Sequence, residues 1–179
     1  MADGIRINRA PVLTLWAAVV AERLGYDADT AITLGRVVAG TSARIKARAI
    51  GLEAEKEPED MREVARREEA RRARATLRTV HLLGRDIAVV EGSEGPRAAE
   101  DGKPASATSA RAYVEKAFGP HLTAAEAAMR RLAESLPPEE LNRVGFRLYE
   151  RFRPEVPSGA RGWGAKGVLD LAKIEEAAG

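Results

Sequence analysis

The sequence predicts a mainly α-helical fold with one β-hairpin, an α+β architecture in which a helical N-terminal unit precedes an α+β C-terminal unit. Three observations predict it. Apolar residues recur at three- and four-residue spacing through 12–24, 31–38 and 141–152, the period of a helix with a buried face. Glycine and proline fall between these stretches as punctuation. A β-rich pattern stands out only in 79–90, where two short apolar runs flank a glycine. With 179 residues, 45% of them hydrophobic, the chain is long enough to bury a core without covalent staples.

The elements follow in order. Asn8 can cap a first helix, and Pro11 sits in its first turn, where a missing N–H costs little. Val12, Leu13, Leu15, Trp16, Val19, Val20 and Leu24 cover most of the circumference, so this helix belongs at the centre of a core. Arg6 and Arg9 before the apolar stretch 11–21, with Val19-Val20-Ala21 after it, imitate a secretory leader. The apolar spacing continues past Glu22 and Arg23 to Leu24 and Tyr26, which favours a buried helix. Gly25 stops it, and Asp27 caps a second helix with Ala31, Leu34, Val37 and Val38 on one side. Gly40 reads as another break. Thr41 or Ser42 then caps a third helix over 43–50, closed by Gly51.

Residues 52–78 change character. Six acids and two bases fill 53–63, then six arginines and two acids fill 64–78. Apolar residues are too sparse for a packed face, so this is a charged helical connector between residues 1–51 and 79–179. In the hairpin, 79–83 and 86–90 flank Gly84-Arg85, a pair suited to a type II′ turn. A polar loop is expected over 91–107, with Gly92, Gly95, Pro96, Gly102 and Pro104. Helices resume at 108–118, ended by Gly119-Pro120, and again at Thr123-Ala124-Ala125-Glu126, a capping-box sequence. Pro137-Pro138-Glu139-Glu140 opens another, with Leu141, Val144, Leu148 and Phe152 inward and Pro154 and Pro157 beyond its end. A glycine-rich loop over 159–167 leads to a last short helix over 168–178.

Composition excludes several chemistries. There is no cysteine, hence no disulfide, thiolate metal site, iron–sulfur cluster or cysteine nucleophile. With His81 and His121 as the two histidines, a zinc or copper centre would have to rest on carboxylates, and no metal or cofactor is expected. His81 reads as a strand residue and His121 as part of a helix–helix turn, so no catalytic set is assigned. No run approaches the ~18 apolar residues of a membrane span, which points to a soluble, cytoplasmic protein without a membrane role.

Three patterns can meet anions. The first is the N-terminal unit read as a helix-turn-helix, with Ala21 and Gly25 four apart as in that motif. Its 43–50 helix carries Arg44, Lys46 and Arg48 and no acid, and such a helix can lie against phosphates and release counterions. The second is Arg143, Arg147 and Arg151 at four-residue steps, a basic stripe that Arg130 and Arg131 could extend. Each basic feature also fits a plain solvated face. The third is Gly162-Trp163-Gly164-Ala165-Lys166-Gly167. It has the spacing of a dinucleotide fingerprint without the preceding strand or the later acid. What survives is a phosphate held by Arg161, Gly162, Gly164, Lys166 and Gly167 at the start of the last helix. The competing reading is close backbone packing around Trp163.

The run Ile7-Asn8-Arg9-Ala10-Pro11-Val12-Leu13-Thr14-Leu15-Trp16-Ala17-Ala18-Val19-Val20-Ala21-Glu22-Arg23-Leu24-Gly25 resembles the opening of an uncharacterised family of bacterial proteins. Phe152-Arg153-Pro154-Glu155-Val156-Pro157 and the later Gly162-Trp163-Gly164-Ala165-Lys166-Gly167 are similar to that family's ending. The resemblance spans nearly the whole chain and carries over no activity and no functional residue.

These readings favour a non-enzymatic DNA-associated or regulatory protein that contacts phosphates through the basic 43–50 helix. Its C-terminal unit would dimerise or sense a ligand. The alternatives are a protein–protein adaptor with no nucleic-acid role, working through the connector and the 91–107 loop, and an enzyme that binds a phosphorylated small molecule at 161–167.

Overall fold

The computed structural model describes residues 4–49, 78–92, 94–100, 102–155 and 166–177; the side chains of residues 41–49 and of Arg78 lie outside the description. Strand β1 (Gly4–Ile7) pairs antiparallel with β6 (Gly167–Asp170), Ile7 opposite Gly167 and Gly4 opposite Asp170. Ile5 and Ile7 alternate inward and meet buried Leu169. Helix α1 (Arg9–Arg23) is buried without interruption from Pro11 to Ala21, as its all-round apolar circumference requires. It ends where expected. Gly25 takes φ +109°, its N–H donates to Glu22 O, and Tyr26 N–H donates to Ala21 O at 3.1 Å. That six-to-one and five-to-two pair is the Schellman arrangement.

Asp27 caps α2 (Ala28–Ala49), accepting from the Thr30 N–H and, at 2.6 Å, from the Thr30 hydroxyl. That hydroxyl bond, ahead of the other influences, holds the Asp27 pKa below the ordinary carboxylate value. The second helix does not stop at Gly40. It continues to Ala49, so the expected third helix is the far end of α2, and the described part of residues 1–51 is one strand and two helices. A single glycine costs a helix only about 1 kcal/mol relative to alanine, too little to end one that is anchored along its length. The anchor is Gly35, where a Cβ would collide with the Thr14 carbonyl oxygen and crowd Ala18 N. Helices α1 and α2 thus still touch ten residues out from their turn. They form an αα-hairpin and not the diverging pair of a helix-turn-helix.

The single hairpin grows into a four-stranded antiparallel sheet in the order β2 (Arg78–Leu82), β3 (Arg85–Gly92), β4 (Gly95–Glu100), β5 (Lys103–Pro104). Its first turn is Leu83-Gly84, with φ +50° and +80°, and Leu82 pairs with Arg85. Positive φ at both positions is the type I′ pattern, one residue earlier than the type II′ turn expected at Gly84-Arg85. The expected loop over 91–107 is largely β4 and β5. Ala98 and Arg97 are buried there, and Ala98 N–H donates to the Thr33 hydroxyl at 3.0 Å, which docks the sheet on α2. Thr30 adds a second tie, its hydroxyl oxygen 2.7 Å from Pro96 O with its one proton shared between that carbonyl and Asp27.

Helices α3 (Ala107–Phe118), α4 (Leu122–Glu134) and α5 (Pro138–Phe152) follow, with Ser106 capping α3 and Pro138 opening α5. The capping box at Thr123 does not form. A 3-10 turn over Gly119–His121 leads directly into α4, and Glu126 turns instead to Arg130. The expected last helix begins as strand β6 and becomes α6 (Leu171–Glu176) only after Asp170, whose carboxylate accepts from Ala172 N–H. One hydrophobic cluster runs from Ile5 through Trp16, Leu82, Phe118 and Phe152 to Ile174, so the described parts of residues 1–51 and 79–179 share a core. The connector, residues 52–78, lies outside the description as far as 77.

Two glycines of α2 give opposite expectations. Gly35→Ala forces α1 and α2 apart and should lower stability by about 1–3 kcal/mol or more. Gly40, where an added Cβ meets nothing, should gain roughly 0.5–1 kcal/mol as alanine. Urea midpoints that move in the same direction for both variants would contradict the continuous helix.

Candidate nucleic-acid interface

Helix α2 has 22 residues and α1 has 15, and the two meet at one turn and run in opposite directions. At 1.5 Å per residue, the C-terminal end of α2 reaches about 10 Å beyond the start of α1. Between Thr30 and Ala49, α2 carries Arg36, Arg44, Lys46 and Arg48 and no acidic residue. The side chains of Arg44, Lys46 and Arg48 lie outside the described set, so their surroundings are not part of the site's geometry. Their backbone is the last stretch of α2.

The start of α1 contributes further charge at this end. Arg9 Nε donates to Pro154 O at 2.9 Å, which seats its guanidinium beside the C-terminus of α5 and beside Arg153. Burial first and the Arg153 charge second lower the Arg9 pKa. Neither arginine makes an ion pair with a carboxylate among the described residues. Tyr149 completes the corner, donating its hydroxyl to Arg9 O at 3.3 Å. Desolvation of that phenol pushes its pKa up to about 12.

The arginine stripe of α5 divides. Arg143 is 73% exposed and lies 3.9 Å from Glu140, a loose i,i+3 pair. Arg147 is exposed. Arg151 is diverted, donating Nη1 to Ala177 O at 2.7 Å and so satisfying a carbonyl at the end of α6. Arg130 and Arg131 do not extend the stripe as free charge. Arg130 bonds both Glu22 and Glu126, and Arg131 bonds Glu175 at 2.6 Å. Along α5, Glu139, Glu140 and Glu150 alternate with these arginines, leaving a mixed surface.

The glycine-rich loop is anchored at the same corner, but not as a phosphate cradle on a helix. Arg161, Gly162 and Gly164 lie outside the described residues. Lys166 is exposed and Gly167 opens strand β6. A Cβ on Gly167 would come within 2.8 Å of Glu155 O and Pro154, the close backbone approach that glycine alone permits. The N-terminus of α6 is already capped by the Asp170 carboxylate, which stands where an anion would sit.

His81 Nδ1 lies 2.9 Å from Asp86 Oδ1 across the hairpin, both side chains well exposed, and His121 is exposed in the 3-10 turn. No cluster of metal-ligating side chains occurs among the described residues, and no described helix is long and apolar enough to cross a membrane. Two polar groups that organise the fold escaped sequence reading. Asn142 accepts from Leu83 N–H through Oδ1 and donates through Nδ2 to His81 O. Buried Arg97 lies 3.7 Å from Asp29, which also pairs with Arg111 at 2.6 Å. Comparison of the chain with protein-family models, curated proteins and solved structures gives no match.

Tyr149 sets an alkaline expectation. Its folded pKa lies above the ordinary 10, so its contribution is complete below pH 10 and is lost as pH climbs from there towards about 12, where the unfolded phenol ionises first. Denaturant midpoints measured from pH 9 to 12 should fall less steeply for Tyr149→Phe than for the parent; parallel curves would contradict the buried neutral phenol.

Proposed function

We propose that the chain is a non-enzymatic DNA-associated protein that contacts backbone phosphates with the end of the fold where α2 overhangs α1. One observation carries the reading. Helix α2 runs unbroken to Ala49 with no acid after Asp29, and by its length it ends past the start of α1, where Arg9 donates to Pro154 O. Cations brought close together repel one another, and a polyanion relieves that repulsion while releasing its own counterions. Arg130, Arg131, Arg111 and Arg97 differ, each being matched to Glu22, Glu126, Glu175 or Asp29.

Arg143 and Arg147 are a secondary contact in this reading, because α5 carries acids among its arginines. Arg151 has a structural partner and is not retained. The phosphate-loop reading keeps Lys166 as an exposed neighbour of the same corner and loses the helix start on which it was built.

The test is binding of duplex DNA by fluorescence anisotropy across a salt series. The parent should bind at ~50 mM salt and weaken steeply as salt rises. Arg153→Gln should reduce the slope of log K against log salt by about one, and Arg131→Gln, whose charge is already matched, should leave it unchanged. No binding at ~50 mM salt would overturn the proposal and favour a protein-binding adaptor.

A further inference from the structure

Burial along α2 decides which part of it a duplex can reach. Every residue from Thr30 to Gly35 is buried. At about 100° per residue this stretch passes through more than a full turn, so no side of it is open. Gly35 packs on the Thr14 carbonyl of α1, while on β4 Thr33 accepts from Ala98 N–H and the Thr30 hydroxyl lies 2.7 Å from Pro96 O. The turn ahead of it holds two carboxylates, Asp27 as the cap and Asp29 in its pair with Arg111. After Ala28 the next exposed residue of the helix is Gly40, and the backbone runs on from there to Ala49, about 14 Å further.

We infer that the protein meets duplex DNA with the C-terminal end of α2 leading and does not read its base sequence. This rests on the proposed phosphate contact and names its partner, a duplex backbone of any sequence. A helix-turn-helix protein reads bases with the N-terminal residues of its second helix, set in the major groove. Here that end carries acids and is docked on β4, so it cannot enter a groove. The end that is free leads with its carbonyl groups, the negative pole of the helix. After Gly40 its sequence holds Arg44, Lys46 and Arg48 and no Asn, Gln, Asp or Glu, the types that pair with adenine or cytosine edges. Arginine can also meet guanine, but only from inside a groove that this end would enter carbonyls first. Cations at such an end offset the carbonyl pole, and their contacts to phosphate carry no base information.

Selection by the full chain from a pool of duplexes with a randomised centre, sequenced after several rounds, tests this. Every randomised position should keep its starting base composition, and the selected pool should bind with the affinity and salt slope of the starting pool. An enriched consensus would overturn the inference while the phosphate contact stands. Ala28→Glu probes the opposite end of the helix. It adds an acid at the exposed first position of α2, about 30 Å from Ala49 and far beyond the ~10 Å Debye length at 0.1 M salt. With circular dichroism as the check on folding, affinity at that salt should change less than about fivefold, the smallest effect of a spoiled base contact. A larger loss would put the N-terminal turn on the DNA and overturn the inference. A starting pool that the parent does not bind overturns the phosphate contact itself, a result separable from both.

Discussion

The fold depends on a junction at Gly145. Trp16, fully buried in α1, donates its indole N–H to the Gly145 carbonyl at 2.9 Å across 129 residues of sequence. A buried indole N–H left without an acceptor would cost about 1–3 kcal/mol, so this bond fixes where α5 crosses α1. Gly145 also leaves the space that Leu83 fills, since a Cβ there would strike the Leu83 side chain. Leu83 is the one non-glycine described residue with positive φ, a position leucine occupies only under constraint. Burial of its side chain and the bond from its N–H to Asn142 supply that constraint. Central helix, hairpin turn and fifth helix are thereby joined at one point, and the T-shaped contact of Trp16 with Phe152, centroids 5.3 Å apart, extends the joint along α5.

Asn142 has a second consequence for the sheet. β2 is an edge strand, and its outward His81 carbonyl and the neighbouring Leu83 N–H are both taken by the one side-chain amide. The amide stands in for an adjacent strand at that end. Little of so short an edge remains for pairing with another chain, which is how native sheets limit aggregation.

Local signals in the sequence located what local chemistry determines. The end of α1 was legible because Gly25 and the polar residues after it encode a Schellman turn and a cap within five residues. The start of α5 was legible from Pro138 and the acids behind it. Elements held by distant partners were not. Gly4-Ile5-Arg6-Ile7 is too short to announce a strand until Gly167 to Asp170 lie beside it. Gly95 to Glu100 has few β-branched residues and is a strand because Thr33 and Pro96 tie it to α2. Gly40 looked like a terminus because its helical penalty is visible in sequence, and the Gly35 contact that overrides it is not. That one misreading made two helices of a single one. The α5 stripe was legible as spacing, but Arg151's commitment to the Ala177 carbonyl is a tertiary fact.

The β1–β6 ladder bears on how the chain acquires its shape. Pairing Ile7 with Gly167 closes a loop of roughly 160 residues, among the least probable encounters available to the unfolded polymer. The αα-hairpin, by contrast, brings its helices together across a four-residue turn. By loop-closure entropy the hairpin is the cheaper contact, and the ladder depends on the helices to bring both strands to the same corner. With only four residues per strand, the ladder adds little of its own to hold the chain's two distant segments at the Arg9 corner.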